Sequence, residues 1–539
     1  MKRYARTLTA CLTLSLTLLA SLTSCGGGEE EVTLRVLASP ELADLEPLLG
    51  ELEDDTGVRL EMDYRATADL SGVRGSSARG SSVGSSSARG SSYDLAWPAS
   101  DRSFLLRLQD SGEQAARPES TAIMRSPVVV GLTPEVADKL RAEAPGGRLS
   151  WADIADAAAD GTVRFGMADP RRSDTGRAAL VGVATAAAGT GSALREQDVS
   201  CDRLRGFRSG QTLTAASSRE LIASYTGHQG ETNALIAHES ELLSLNATKK
   251  LREPLRIVHP EDGMVLSDFP LLLLDPGERT AYRKVVDWLL RAAVQQKLMK
   301  RTWRRPVNQE VTPAEPLRAA VGNALSFPDR LSIVERLVAD YGDPASATTD
   351  QVVFLLDFSG SMRGERIADL RAAFAGLSGA DPTSTGKFAR FYRGEHLTVV
   401  RFGGRVLQER TVTVRGDGDL KALDKMVADG SFDDSTAVWS ALDRGYRIAA
   451  DAVREAPERP VAIVLMTDGE SNAGMTYEEF LRRYDRLGTE VREVPTFPVH
   501  FGEADAAALK KAAAATGGRV VDANSSSLSD AFKEIRGCH

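Results

Sequence analysis

Asp357, Ser359 and Ser361 stand at alternate positions directly after the apolar run 351–356. One carboxylate and two hydroxyls on one loop form a hard-oxygen set, which a divalent cation such as Mg²⁺ takes while keeping waters in its remaining positions. The same residue types also build ordinary turns, so the triplet alone leaves both readings open. Two further groups lie downstream. Asp433-Asp434-Ser435-Thr436 opens a predicted helix over 435–449, and Thr467-Asp468-Gly469 ends the apolar run 460–466. Catalytic chemistry finds less support. The six His show no H-E-x-x-H or zinc spacing. Glu261-Asp262 precedes Gly263 as a turn would. Ser359 lacks a Gly-x-Ser-x-Gly elbow, because Asp357 and Ser361 occupy the two glycine places. The chain is expected not to be an enzyme.

Positioning these oxygens requires a sheet. Predicted strands at 351–356, 396–402, 460–466, 495–501 and 518–522 alternate with predicted helices at 366–377, 435–449, 477–484, 504–514 and 528–535, and 405–414 reads as an added edge strand. Such alternation makes a doubly wound, mostly parallel α/β sheet, whose ligands sit outside the carboxyl ends of the strands. The order D-x-S-x-S, Thr at a helix start and Asp after a buried strand resembles the von Willebrand factor A (VWA) domain with its metal-ion-dependent adhesion site. The resemblance implies a Rossmann-like domain over 350–537. Asp357, Ser359, Ser361 and Thr436 would hold or orient Mg²⁺ (or Mn²⁺ or Ca²⁺), and Asp468 would act directly or through water. One position would stay open to an Asp or Glu of a partner protein. Asp434 and Ser435 stand where family members often carry glycine, and the extra carboxylate would either tighten the metal or screen off an acidic ligand.

The amino-terminal half reads as a second α/β unit. Predicted strands at 32–38, 58–64, 93–97, 126–131 and 163–167 alternate with helices at 42–55, 104–108, 151–159 and 177–188. Leu37-Ala38-Ser39-Pro40, Tyr93-Asp-Leu-Ala-Trp97, Ser126-Pro127, Ala168-Asp169-Pro170…Thr175-Gly176, Asn233-Ala-Leu-Ile-Ala-His-Glu239 and Arg304-Arg305-Pro306-Val307 follow one another as in a type 2 periplasmic solute-binding protein. Within that resemblance, 255–263 is a strand returning to the first lobe and 279–294 is a closing helix. It implies two lobes over 32–310 with a small-solute cleft between them. Candidates for that cleft are Ser39, Ser100, Ser126, Ser173 and Thr175, at strand ends and helix starts where free N–H groups favour an anion. The same places are also ordinary helix caps. Arg-Gly-Ser-Ser repeats mark 71–92 as a surface insert, and 311–349 reads as a linker with helices at 318–324 and 329–341.

A net charge of −9 argues against nucleic-acid binding, which needs a basic face. Lys2, Arg3 and Arg6 precede an apolar stretch, 8–22, too short for a comfortable membrane span. Leu22-Thr23-Ser24-Cys25 resembles a bacterial lipobox, which implies a signal peptide over 1–24, lipid such as palmitate on Cys25, and a short tether over 25–31. Cys201 and Cys538 could form a bridge, but two unpaired thiols are the expectation. The expectation is therefore a lipid-anchored protein on the extracellular side of the cell membrane, with a solute cleft and a metal-dependent protein-docking domain. The alternative is the receptor component of an ABC-type importer.

Overall fold

The computed structural model describes residues 32–65, 93–110, 117–189, 193–198, 201–319, 321–342, 350–468, 471–500 and 506–522. Cys25, Cys538, the insert 71–92, Gly469 and the last predicted helix, 528–535, lie outside the described residues. Among the described residues no helix is long and apolar enough to cross a membrane.

The chain begins with β1 (Val32–Ala38), β2 (Val58–Tyr64), β3 (Leu95–Trp97) and β4 (Ser120–Ala122). It continues with β5 (Met124–Leu132), β6 (Phe165–Ala168), β7 (Gln211–Ala215), β8 (Ala234–His238) and β9 (Arg256–Val258). Then come β10 (Leu266–Ser267), β11 (Pro270–Leu273) and β12 (Arg305–Pro306). The first lobe is a sheet in the order β2-β1-β3-β11-β4, and the second is β10-β5-β8-β6-β7 with β9 and β12 also on β5. The chain crosses between lobes from β4 to β5 and back from β10 to β11. Val128, Val129 and Val130 are all buried, as expected of a strand covered on both faces.

Several expectations need correction. The segment 255–263 does not return to the first lobe: β9 pairs antiparallel with β5 inside the second. The return lies at Ser267–Pro270, where β10 still pairs Ser126 and β11 already pairs Ala96. No helix forms among the described residues of 318–324. Gly322 and Asn323 disfavour it, and Ala324 instead bridges Met264 while the Leu325 N–H donates to the Met264 carbonyl at 2.8 Å. The helix expected over 279–294 is two, Arg279–Leu289 and Ala292–Thr302. The helix expected from Ser435 starts at Val438, so Thr436 sits on the loop before it.

The helix Leu331–Tyr341 buries Ile333, Val334, Leu337 and Tyr341 in the core of the second lobe. The carboxy-terminal domain follows, with β13 (Gln351–Asp357), β14 (His396–Phe402), β15 (Val406–Thr413), β16 (Val461–Thr467), β17 (Thr496–His500) and β18 (Val521–Asp522). Their order is β15-β14-β13-β16-β17-β18, parallel except for the antiparallel edge strand β15. All seven residues of β13 are buried. Val352, Phe354 and Leu356 enter one core cluster, and Val353 and Leu355 the other. That two-sided burial is why the run reads as continuous and not alternating.

The second lobe meets the floor of this domain, the end where β13 and β14 begin. Asp350 pairs with Arg205, the Arg393 N–H donates to the Ala159 carbonyl at 2.7 Å, and Phe388 joins the second lobe's core. Lys387 pairs with Asp153, and Arg390, with an 8% exposed side chain, pairs with Asp156 at 2.9 Å.

Candidate metal centre

Strand register brings the candidate ligands together. Leu356 aligns with Met466 across β13 and β16, so Asp357 stands beside Thr467 with Asp468 one residue on. The chain leaves β13 for β14 on one side and returns to β16 on the other, so the two carboxylates flank the switch point of the sheet, where α/β folds place ligands. Asp357 is wholly buried. Its Oδ1 accepts the Ser359 N–H at 2.8 Å and its Oδ2 accepts the Thr467 hydroxyl at 2.6 Å. Burial pushes its carboxyl up to about 6, against the pull of those hydrogen bonds, and the nearby Asp468 adds to the rise.

Ser359 Oγ lies 3.1 Å from Ser361 Oγ. An isolated parallel bridge pairs Ser359 with Asp433 and so carries the 433–436 loop to the same place. Thr436 is 3% exposed and is clasped by Asn472: its N–H donates to Asn472 Oδ1 at 2.8 Å, and its carbonyl accepts the Asn472 N–H at 2.9 Å. Asp468 Oδ2 accepts from Arg366 at 2.7 Å, while its Oδ1 is buried with no hydrogen-bond partner among the described residues. A buried carboxylate oxygen left unpaired is costly, and with the adjacent hydroxyls it forms a donor set that fits a hard divalent cation. Among the described residues no three His, Cys, Asp or Glu side chains cluster in metal-binding geometry, so this set relies on hydroxyls.

Sequence reasoning missed several residues that shape the site. Arg366 reads as an ordinary surface position on a helix. Asn472 falls in a loop without pattern. Arg401, on β14, is 1% exposed with its guanidinium 3.9 Å above the Phe358 ring, and it donates to the Ser431 carbonyl at 2.8 Å. It thereby props the 358 and 431 loops against each other. Gly403, just past β14, lets the 433–435 loop pack closely on it, since a Cβ there would lie 2.3 Å from that of Asp433. Asp434, at the family's glycine place, points outward with a 98% exposed side chain.

The cleft candidates are placed differently. Ser39, Ser126, Ser173 and Thr175 are buried and engaged within the chain. Ser39 donates to Glu41, and Ser126 accepts the Ser240 N–H at 3.1 Å. Ser173 caps a helix through the Gly176 N–H, and Thr175 lies 3.5 Å from His238 Nδ1. Ser100 is part-exposed and accepts the Arg102 N–H at 3.4 Å. Carboxylates not foreseen from sequence stand among them. Ser218 Oγ, on the second lobe, lies 2.8 Å from both Glu241 and the first lobe's Glu41. His238 links Glu241, at 3.1 Å, to Ser267, at 3.0 Å.

A family model for bacterial extracellular solute-binding proteins matches residues 34–304, half of the chain. One for the von Willebrand factor type A domain matches residues 351–535. Inter-alpha-trypsin inhibitor heavy chain H1 of Homo sapiens is 28% identical over 129 residues, 23% of this chain, and the match spans only 13% of that protein. Similar solved structures include the periplasmic binding protein AfuA from Actinobacillus pleuropneumoniae with fructose-6-phosphate bound (15% identity, 58% of this chain, 98% of that chain, TM-score 0.43). Iron-bound HitA from Pseudomonas aeruginosa is another (17% identity, 58% of this chain, 100% of that chain, TM-score 0.42).

Proposed function

The chain belongs to the bacterial extracellular solute-binding proteins, and from that premise we propose a non-enzymatic, lipid-anchored binding protein that captures a small solute between its lobes and docks a partner protein through its VWA domain. The observation that supports the docking reading is the strand register that sets Asp357 beside the Thr467-Asp468 end, with Ser359 bridged to the loop before Thr436 and Asp468 Oδ1 buried and unpartnered among the described residues. A hard divalent cation held there would supply positive charge and a coordination position open to a partner's carboxylate. The chain's own part is to keep the donors in place. Thr467 and the Ser359 N–H fix the Asp357 carboxylate, and Asn472 fixes the loop carrying Thr436. In the cleft, Glu41, Glu241 and His238 provide charged and hydrogen-bonding groups at the lobe boundary. The tether is proposed at Cys25, on the lipobox-like sequence before it.

Thermal unfolding with and without Mg²⁺ tests the docking site. The wild type is expected to gain several degrees at millimolar Mg²⁺ and to lose the gain with a chelator. In Asp357→Ala the gain should vanish. An Asp357→Ala protein stabilised by Mg²⁺ as strongly as the wild type would sink the assignment.

A further inference from the structure

Arg366 stands in the first turn of the helix Glu365–Ala375, against the metal-site loop. Its Nη1 lies 2.7 Å from Asp468 Oδ2 and 3.2 Å from the Ser361 carbonyl. The Asp468 side chain is 4% exposed, but Arg366 keeps 38% of its own exposed. A guanidinium is thus fixed by one nitrogen to a candidate metal ligand while the rest of it reaches the surface. The neighbouring charges, Arg363 and Asp434, lie 3.9 Å apart and offset each other, and Arg363 also covers the Phe432 ring at 5.0 Å.

We propose that Arg366 is a second anchor of the docking face: it selects an acidic side chain whose one carboxylate oxygen reaches the cation and whose other oxygen takes the guanidinium's remaining donors. This rests on the metal reading above. The guanidinium offers five donors in a planar fork that matches a carboxylate, and the only acceptors it meets among the described residues, Asp468 and the Ser361 carbonyl, both meet Nη1. Charge counting points the same way. With Asp357, Asp468 and the nearby Asp433 set against a dication, Arg366 supplies the positive charge that keeps the face from being net negative before an Asp or Glu arrives. Without Arg366 the same acid would meet a net negative, partly buried site, which is unfavourable. Arg366 therefore weakens the hold on the cation and strengthens the hold on the acid. A residue that only propped up the fold would not move the two in opposite directions.

The test uses the full chain as wild type, Arg366→Ala and Arg366→Lys. Calorimetric titration with Mg²⁺ alone gives metal affinity. Saturation-transfer NMR with acetyl-Gly-Glu-Gly-amide, and its Gln counterpart as control, gives acid binding in Mg²⁺ and in chelator. Arg366→Ala is expected to bind Mg²⁺ roughly three- to ten-fold more tightly, as removal of a nearby like charge predicts, yet to lose the Mg²⁺-dependent Glu-peptide signal. Arg366→Lys should return Mg²⁺ affinity to near wild type with a weakened peptide signal, since Lys keeps the charge but not the fork. If the wild type binds Mg²⁺ and the Glu peptide, and Arg366→Ala holds that peptide as strongly or binds Mg²⁺ no more tightly, the anchor role is overturned while the metal site stands. If neither protein binds Mg²⁺, the metal reading falls and takes this one with it.

Discussion

At the scale of single residues, the buried carboxyls divide by what meets them. Asp357 is held by an N–H and a hydroxyl, and Glu239 by a bidentate Arg305 and by His259 at 2.7 Å. Those partners hold Glu239 below the usual carboxylate range despite the opposing effect of burial. Asp262 has weaker support. Both its oxygens lie 3.0 Å from the Trp151 N–H, and burial, aided by Asp153 and Glu261, pushes its carboxyl from the ordinary 3.8 up to about 6. The sign follows from proton binding. Between pH 4 and 6 the folded state holds a proton that the unfolded state has released, so this stabilising contribution is complete below about 4 and is lost as pH rises through 6. Asp262→Asn removes the titration. Its thermal stability relative to wild type should therefore improve from pH 4.5 to pH 7, by the equivalent of roughly 1–2 kcal/mol after allowing for partial exposure. A constant difference across that range would reject the assignment.

At the scale of elements, the helix Leu331–Tyr341 belongs to the second lobe although it follows the segment matched by the solute-binding family model. Four buried side chains at about 1.5–3 kcal/mol each, reduced for residual burial in the unfolded chain, amount to several kcal/mol. A fragment spanning 32–307 is thus expected to be at least about 3 kcal/mol less stable to urea than one spanning 32–342. Equal midpoints would show the helix to be dispensable. This explains which elements could be read from sequence. The core strand 351–357 and the helices Trp151–Ala159 and Tyr477–Tyr484 carry their whole burial pattern locally, so their periodicity reveals them. β4, β10 and β12 are two or three residues long and exist only because β5 or β11 is there to pair with. The nearness of Asp357 to Asp468 was legible because one strand register aligns the ends of β13 and β16, and a separate bridge from Ser359 to Asp433 carries in the loop before Thr436. The partners Arg366, Arg401 and Asn472 were not, since each acts across a loop whose path depends on tertiary contacts. Ser and Thr at strand ends read as ligand candidates, and all five have polar partners within the chain, four of them buried, while Glu41 and Glu241 carried no local signal.

At the scale of the whole molecule, the parts stand in a row. The hydrogen bonds of Ser218 to Glu41 and Glu241 mark the boundary between the lobes, the VWA domain rests on the second lobe by its floor, and the candidate metal centre is at the opposite end of the VWA sheet. Lys387–Asp153, Arg390–Asp156 and the buried Phe388 join the two domains. Reversing charge at these part-buried pairs leaves like charges facing each other, which after discounting for their exposure costs on the order of 2–3 kcal/mol. Scanning calorimetry of Lys387→Glu/Arg390→Glu should therefore resolve separate melting of the VWA domain, where the wild type shows it coupled to the second lobe. A wild type whose VWA domain already melts independently, at a temperature the double variant leaves unchanged, would refute a firm joint. The floor-down seating also makes the VWA domain a spacer. Seven residues of extended β13, at about 3.3 Å each, put roughly 23 Å of sheet between the solute-binding lobe and the candidate metal centre. On the proposed function, a partner held there would stand about that far from the lobe that shares the solute cleft.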